Sequence, residues 1–114
     1  SNMLNKKYRL PVNQFPIVYK NGKKIRGKYG MLIALKIENS STPQFGFVVS
    51  KKIGGAVQRH RFTRILRVAV AESIKEMELD NCGYIFQYVA FEFCDSKDVL
   101  KKELQNQLKG ILND

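Results

Sequence analysis

Acidic side chains are nearly missing from the first 71 of the 114 residues, where Glu38 stands alone against 15 Lys and Arg and the segment carries +14; residues 72 to 114 hold nine acids against five bases and carry −4. Uniform charge would serve solubility, whereas a segregated block of this sign points to nucleic acid or an anionic membrane. His60 is the only histidine, and no carboxylate cluster lies near the basic block. A protein nuclease needs an acid–base pair or clustered carboxylates on a divalent metal, so catalysis by this chain alone is not expected. Cys82 and Cys94 form no CxxC pair and lack the histidines that would complete a zinc site, so both read as free thiols of a reducing compartment. No apolar run reaches the roughly 20 residues that span a bilayer. Ser1–Asn2 ahead of Met3 read as a cleavage scar, no signal peptide is expected before the basic start, and a cytoplasmic location follows. One domain, residues 1–114, is expected, large enough for a core without staples and without internal repeat.

What the chain has in abundance is gathered in residues 50–67: Ser50-Lys51-Lys52-Ile53-Gly54-Gly55-Ala56-Val57-Gln58-Arg59-His60-Arg61-Phe62-Thr63-Arg64-Ile65-Leu66-Arg67, with no acid. At about 100° per residue, Phe62, Ile65, Leu66 and Ala69 share a third of a helix circumference, a face for a core. Arg59, His60, Arg61, Arg64 and Arg67 spread over the other side, and arginine forks grip phosphate oxygens bidentately. Gly54-Gly55 either take backbone angles closed to other residues or admit RNA closely. No Gly-Lys-Ser/Thr follows them, which excludes a nucleotide-binding phosphate loop. A basic helix without a core partner would suit a membrane surface, but here the cationic side opposes a core face.

This run resembles the bacterial ribonuclease P protein family, whose signature is Ser-Lys-Lys-x-Gly-x-Ala-Val leading into a helical Arg-Asn-Arg motif. Ser50, Lys51, Lys52, Gly54, Ala56, Val57 and Arg59-His60-Arg61 carry it, continued by Arg64 and Arg67, and Phe15-Pro16-Ile17-Val18-Tyr19-Lys20-Asn21-Gly22 matches upstream. Two positions depart: His60 stands where asparagine is usual and Thr63 where a lysine is common. Neutral histidine, like asparagine, both donates and accepts a hydrogen bond. The resemblance implies a subunit that binds a catalytic RNA and precursor tRNA and assists Mg²⁺-dependent removal of the tRNA 5′ leader, with Mg²⁺ held mainly by RNA. It implies RNA contact by Lys51, Lys52, Arg59, His60, Arg61, Arg64 and Arg67, and a leader cleft lined by Phe15 and Tyr19, whose rings would stack on bases at roughly 1 to 3 kcal/mol each. The chain is expected to be monomeric without RNA. A ribosomal or general RNA-binding protein is the competing reading, and would share the charge but not the ordered motif.

Taken in order, residues 3–11 read as an extended basic arm that orders only on RNA. Asn13 is expected to cap a first helix that Gly22 ends, with Pro16 in the opening turn. Residues 23–28 read as a basic turn or short strand, Tyr29 to Ile37 as a strand with Met31 and Ile33 on its cleft side, 39–43 as a loop, and Phe45 to Val49 as the strand that delivers Lys51 and Lys52. A long helix from Ala56 to Met77 precedes a central strand over Tyr84 to Phe93. Ser96 or Asp95 caps the last helix, with Val99 or Leu100, Leu104, Leu108 and Ile111 on its core side. The order helix, three strands, helix, strand, helix predicts an α+β sandwich, and the resemblance implies a four-stranded sheet.

Overall fold

Alternation and periodicity give way to packing at the first described residue, Leu4, which is 1% exposed. The computed structural model describes residues 4–38 and 42–113. The segment read as a free arm is folded: a 3-10 turn at Lys6–Tyr8 is capped by the Asn5 carboxamide, Tyr8 donates its hydroxyl to Asp80, and the Leu10 N–H donates to the Phe45 carbonyl. Two leucines that bury themselves, Leu4 and Leu10, outweigh the local charge that suggested disorder.

Helix α1 is Phe15–Asn21. Asn13 does not cap it, because a 3-10 turn at Val12–Gln14 runs directly into the helix and Gln14 occupies the cap position without a side-chain bond. Gly22 does end it, in an extended conformation. The strands are β1, Lys23–Arg26, β2, Gly30–Lys36, β3, Phe45–Val48, and β4, Tyr84–Ala90. Their spatial order is β1-β2-β4-β3, antiparallel except for β3 beside β4, the parallel pair that a helical crossover permits. That crossover is α2, Ala56–Glu76, and α3, Lys97–Leu112, follows β4. The expected α+β order is thus observed; the loop expected at 39–43 falls mostly on residues outside those described.

Each sheet face has its own core. On one, Leu32, Ala34, Phe86 and Tyr88 meet Phe62, Leu66 and Val70 of α2 and Leu100, Leu104, Leu108 and Ile111 of α3. Val99, the alternative to Leu100, is 46% exposed. Phe45 and Phe86 stack with centroids 4.5 Å apart. On the opposite face, Val18 of α1 closes over Met31, Ile33, Ile85 and Leu10. Ser96 caps α3 through its side chain, which accepts from the Val99 N–H. Glu72 of α2 accepts from Lys97 and Lys101 of α3, each at 2.9 Å, and these bonds hold its carboxyl below the ordinary range and raise both lysines. Glu72 and Glu76 of the acidic C-terminal half are thus spent on joining α2 to α3, away from the basic turn.

Candidate nucleic-acid interface

Beyond Val48 the chain makes a 3-10 turn at Lys51–Ile53, pinned by the buried Ile53, with Lys51 and Lys52 exposed. Gly54 has φ +149°, a conformation that a side chain would strain, whereas Gly55 is ordinary extended backbone at the helix cap. Of the two sequence readings, backbone angle therefore explains Gly54. Open space beside Gly55, where an added Cβ would meet nothing within 4 Å, leaves the uncapped first turn of α2 accessible. Arg59 closes the turn by donating from Nε to the Gly54 carbonyl at 3.2 Å.

The arginines do not form one row. His60 and Arg64 stand exposed beside Val57, which is 86% exposed, and with Arg61 and Ile65 they border an open depression of about 480 Å³. Ile65, read as core, is only partly buried. Arg61 reaches toward the chain before α3, where its Nε donates to Asp95 at 2.6 Å. Arg67 turns the other way and lines a groove with Arg9, on the N-terminal segment. Residues spaced by two, three and three positions around a 3.6-residue helix must diverge in this manner. Among the described residues, no acid pairs with Lys51, Lys52, Arg59 or Arg64.

An apolar surface adjoins this cationic one. The Phe15 ring lies against Gly46, so closely that a Cβ there would fall 2.4 Å from its Cζ. Tyr19, one turn along α1, is 50% exposed, with the Lys24 ammonium 4.8 Å from its ring centre. Met31 and Ile33 do face α1, but at 6% and 0% exposure they lie sealed beneath it and offer a strand of RNA no surface. The sequence shows their strand face but not that Val18 would cover it. By register Gly46, Val48, Gln87 and Val89 continue the same face, and Phe91 follows. Arg26 and Lys52 approach the Phe91 ring to 4.6 and 5.6 Å. Phe91, expected within the central strand, instead lies one residue beyond β4 and sits between cations, unlike Phe86 and Tyr88.

A helix and turn rich in unpaired cations, set beside half-exposed rings, suits a single-stranded polyanion whose bases can stack while its phosphates are neutralised. Among the described residues no three His, Cys, Asp or Glu side chains cluster as metal ligands, and no helix is long and apolar enough to cross a membrane.

The Ribonuclease P family profile matches residues 4–113. The chain is 32% identical over 100 residues to the ribonuclease P protein component of Clostridioides difficile (strain 630), covering 88% of this chain and 83% of that one, and 26% identical over 110 residues to that of Macrococcus caseolyticus (strain JCSC5402), covering 96% and 90%. Its fold is similar to that of the RNase P protein from Thermotoga maritima, at a TM-score of 0.73 and 20% identity over 90% of this chain and 96% of that one.

Proposed function

Because the chain belongs to the ribonuclease P protein family, we propose that it is the protein subunit of a ribonuclease P endoribonuclease, acting in tRNA 5′ maturation beside a catalytic RNA in the cytoplasm. Without RNA it is a monomer. Lys51, Lys52, Arg59, His60, Arg64 and, once released from Asp95, Arg61 neutralise phosphates of the catalytic RNA and of the RNA near the scissile bond. Phe15 and Tyr19 border the path of the precursor tRNA 5′ leader, and Phe91, flanked by Arg26 and Lys52, extends it. The protein's part is electrostatic and positional. Mg²⁺ held mainly by the RNA would supply the Lewis-acid chemistry of hydrolysis, and the protein would lower the Mg²⁺ demand by replacing counterions. The observation that carries this reading is the adjacency of Lys52 to Phe91, cation and ring at 5.6 Å where the basic turn meets the apolar face.

The test is reconstitution with the cognate catalytic RNA. Leader removal at low Mg²⁺ is expected only when both are present. The affinity for that RNA should fall with salt at a log–log slope of about −3 or steeper, as about four phosphate contacts require. A nearly flat slope, or cleavage by RNA-free protein, overturns the reading.

A further inference from the structure

A groove between the N-terminal segment and α2 runs beside the outer edge of β3 and opens next to Phe15 of α1. It measures about 260 Å³, and its lining includes Arg9, Phe15, Gly46, Phe47, Thr63 and Arg67. Two guanidiniums and no acid border it. Arg9 already donates from Nε to the Leu4 carbonyl at 3.1 Å, which fixes the stem of its fork while the terminal nitrogens stay available. Thr63 gives its hydroxyl proton to the Arg59 carbonyl, so its oxygen remains as an acceptor only. Arg67 is the telling group: its Nε–H is buried and has no acceptor. Burial first, and the charge of Arg9 second, push the Arg67 guanidinium below its ordinary range. An acid among its neighbours would relieve it, and the described lining holds none.

We propose that the Arg9–Arg67 groove along the β3 edge seats one RNA phosphodiester, gripped from both sides by the two guanidiniums, with the adjoining base against Phe15. Phosphate oxygens meet the terminal nitrogens of the two forks, and one anion between two cations turns their repulsion into attraction. The apolar floor of Phe47 and the Gly46 backbone admits the sugar without a competing charge. This inference rests on the proposed RNA-binding function and on the RNA contact expected of Arg67; it adds the groove and its second guanidinium, Arg9. The phosphate comes either from the precursor leader or from the catalytic RNA, and the experiment separates the two.

Leader linkages of a precursor tRNA are replaced one at a time by uncharged methylphosphonate, and binding to the reconstituted holoenzyme is measured for the wild type, Arg9→Gln and Arg67→Gln. One linkage is expected at which the loss of charge weakens the wild type about tenfold, equivalent to about 1.4 kcal/mol, and weakens each variant less than twofold. Should no leader linkage couple, phosphorothioate interference on the catalytic RNA is expected to show a position that matters to the wild type and not to the variants; that assigns the phosphate to the catalytic RNA and supports the site. Two variants are used because Arg9→Gln also loses the bond to Leu4; circular dichroism melting identifies any that does not fold. Folded variants that couple to no linkage on either RNA overturn the proposal. Failure of the broader function looks different, because the wild type itself would then bind neither RNA.

Discussion

Arg61 and Asp95 form an ion pair of 2.6 Å across 34 positions of sequence, with both side chains more than half exposed. One of the two arginines of the helical motif is thus held by an acid in the absence of RNA. Exposed pairs of this kind contribute little to stability, about 0 to 1 kcal/mol, so RNA can exchange one partner for another at small cost.

Replacing Asp95 by Asn frees Arg61 and removes a negative charge beside the basic ridge. Affinity for the catalytic RNA is expected to rise about threefold at low salt, with the gain shrinking as ionic strength increases. Filter binding across a salt series reads it, and an unchanged affinity at low salt means that Arg61 does not touch RNA.

Phe15→Ala and Tyr19→Ala remove the rings at the edge of the apolar face. Each should weaken holoenzyme binding of leader-bearing precursor by about 5- to 150-fold, the range of one base stack, and leave mature tRNA unaffected. The half-buried Phe15, braced on Gly46, should show the larger effect. Equal losses on both RNAs would remove the leader from its assigned place.

Gly46→Ala tests that brace. The added methyl would collide with the Phe15 ring, which has to leave its seat. A stability loss of about 1 to 3 kcal/mol is expected from overpacking, together with loss of leader preference resembling that of Phe15→Ala. Unaltered melting and unaltered leader preference would show that the ring is not held there.

The helix clamp makes a prediction about acid. Glu72 titrates below its ordinary 4.5 because Lys97 and Lys101 bond to it, so its contribution is complete above 4.5 and is lost as pH falls beneath that value. Lys97 and Lys101, raised above 10.5, contribute below that pH and lose their effect only above it. Glu72→Gln should therefore melt at lower temperature than wild type at neutral pH, and the difference should close as pH falls below about 4. A gap that persists in acid would assign the effect to packing.

Much of this molecule was legible because local and global signals agree in it. Apolar spacing marked Leu104, Leu108 and Ile111 and narrowed the first core position to Val99 or Leu100, the cap was narrowed to Ser96 or Asp95, and the Gly54-Gly55 pair announced a turn. What escaped was set by distant partners. Nothing near Leu4 says that a core awaits it, nothing near Arg61 that Asp95 will reach it, and nothing in β2 that Val18 will cover Ile33. Arg9 was grouped with a loose arm, and only the folded segment sets it beside Arg67.

The N-terminal segment also acts as a one-residue strand, since Arg9 bridges Phe45 in parallel and covers the edge that β3 would otherwise present to other chains. During synthesis Arg9, Phe15, β3 and the motif of α2 all leave the ribosome before Tyr84–Ala90, the strand that holds β3 within the sheet. The cationic half of the protein thus emerges well ahead of its own scaffold, and its first chance to mature comes only once the later, acidic half has been translated.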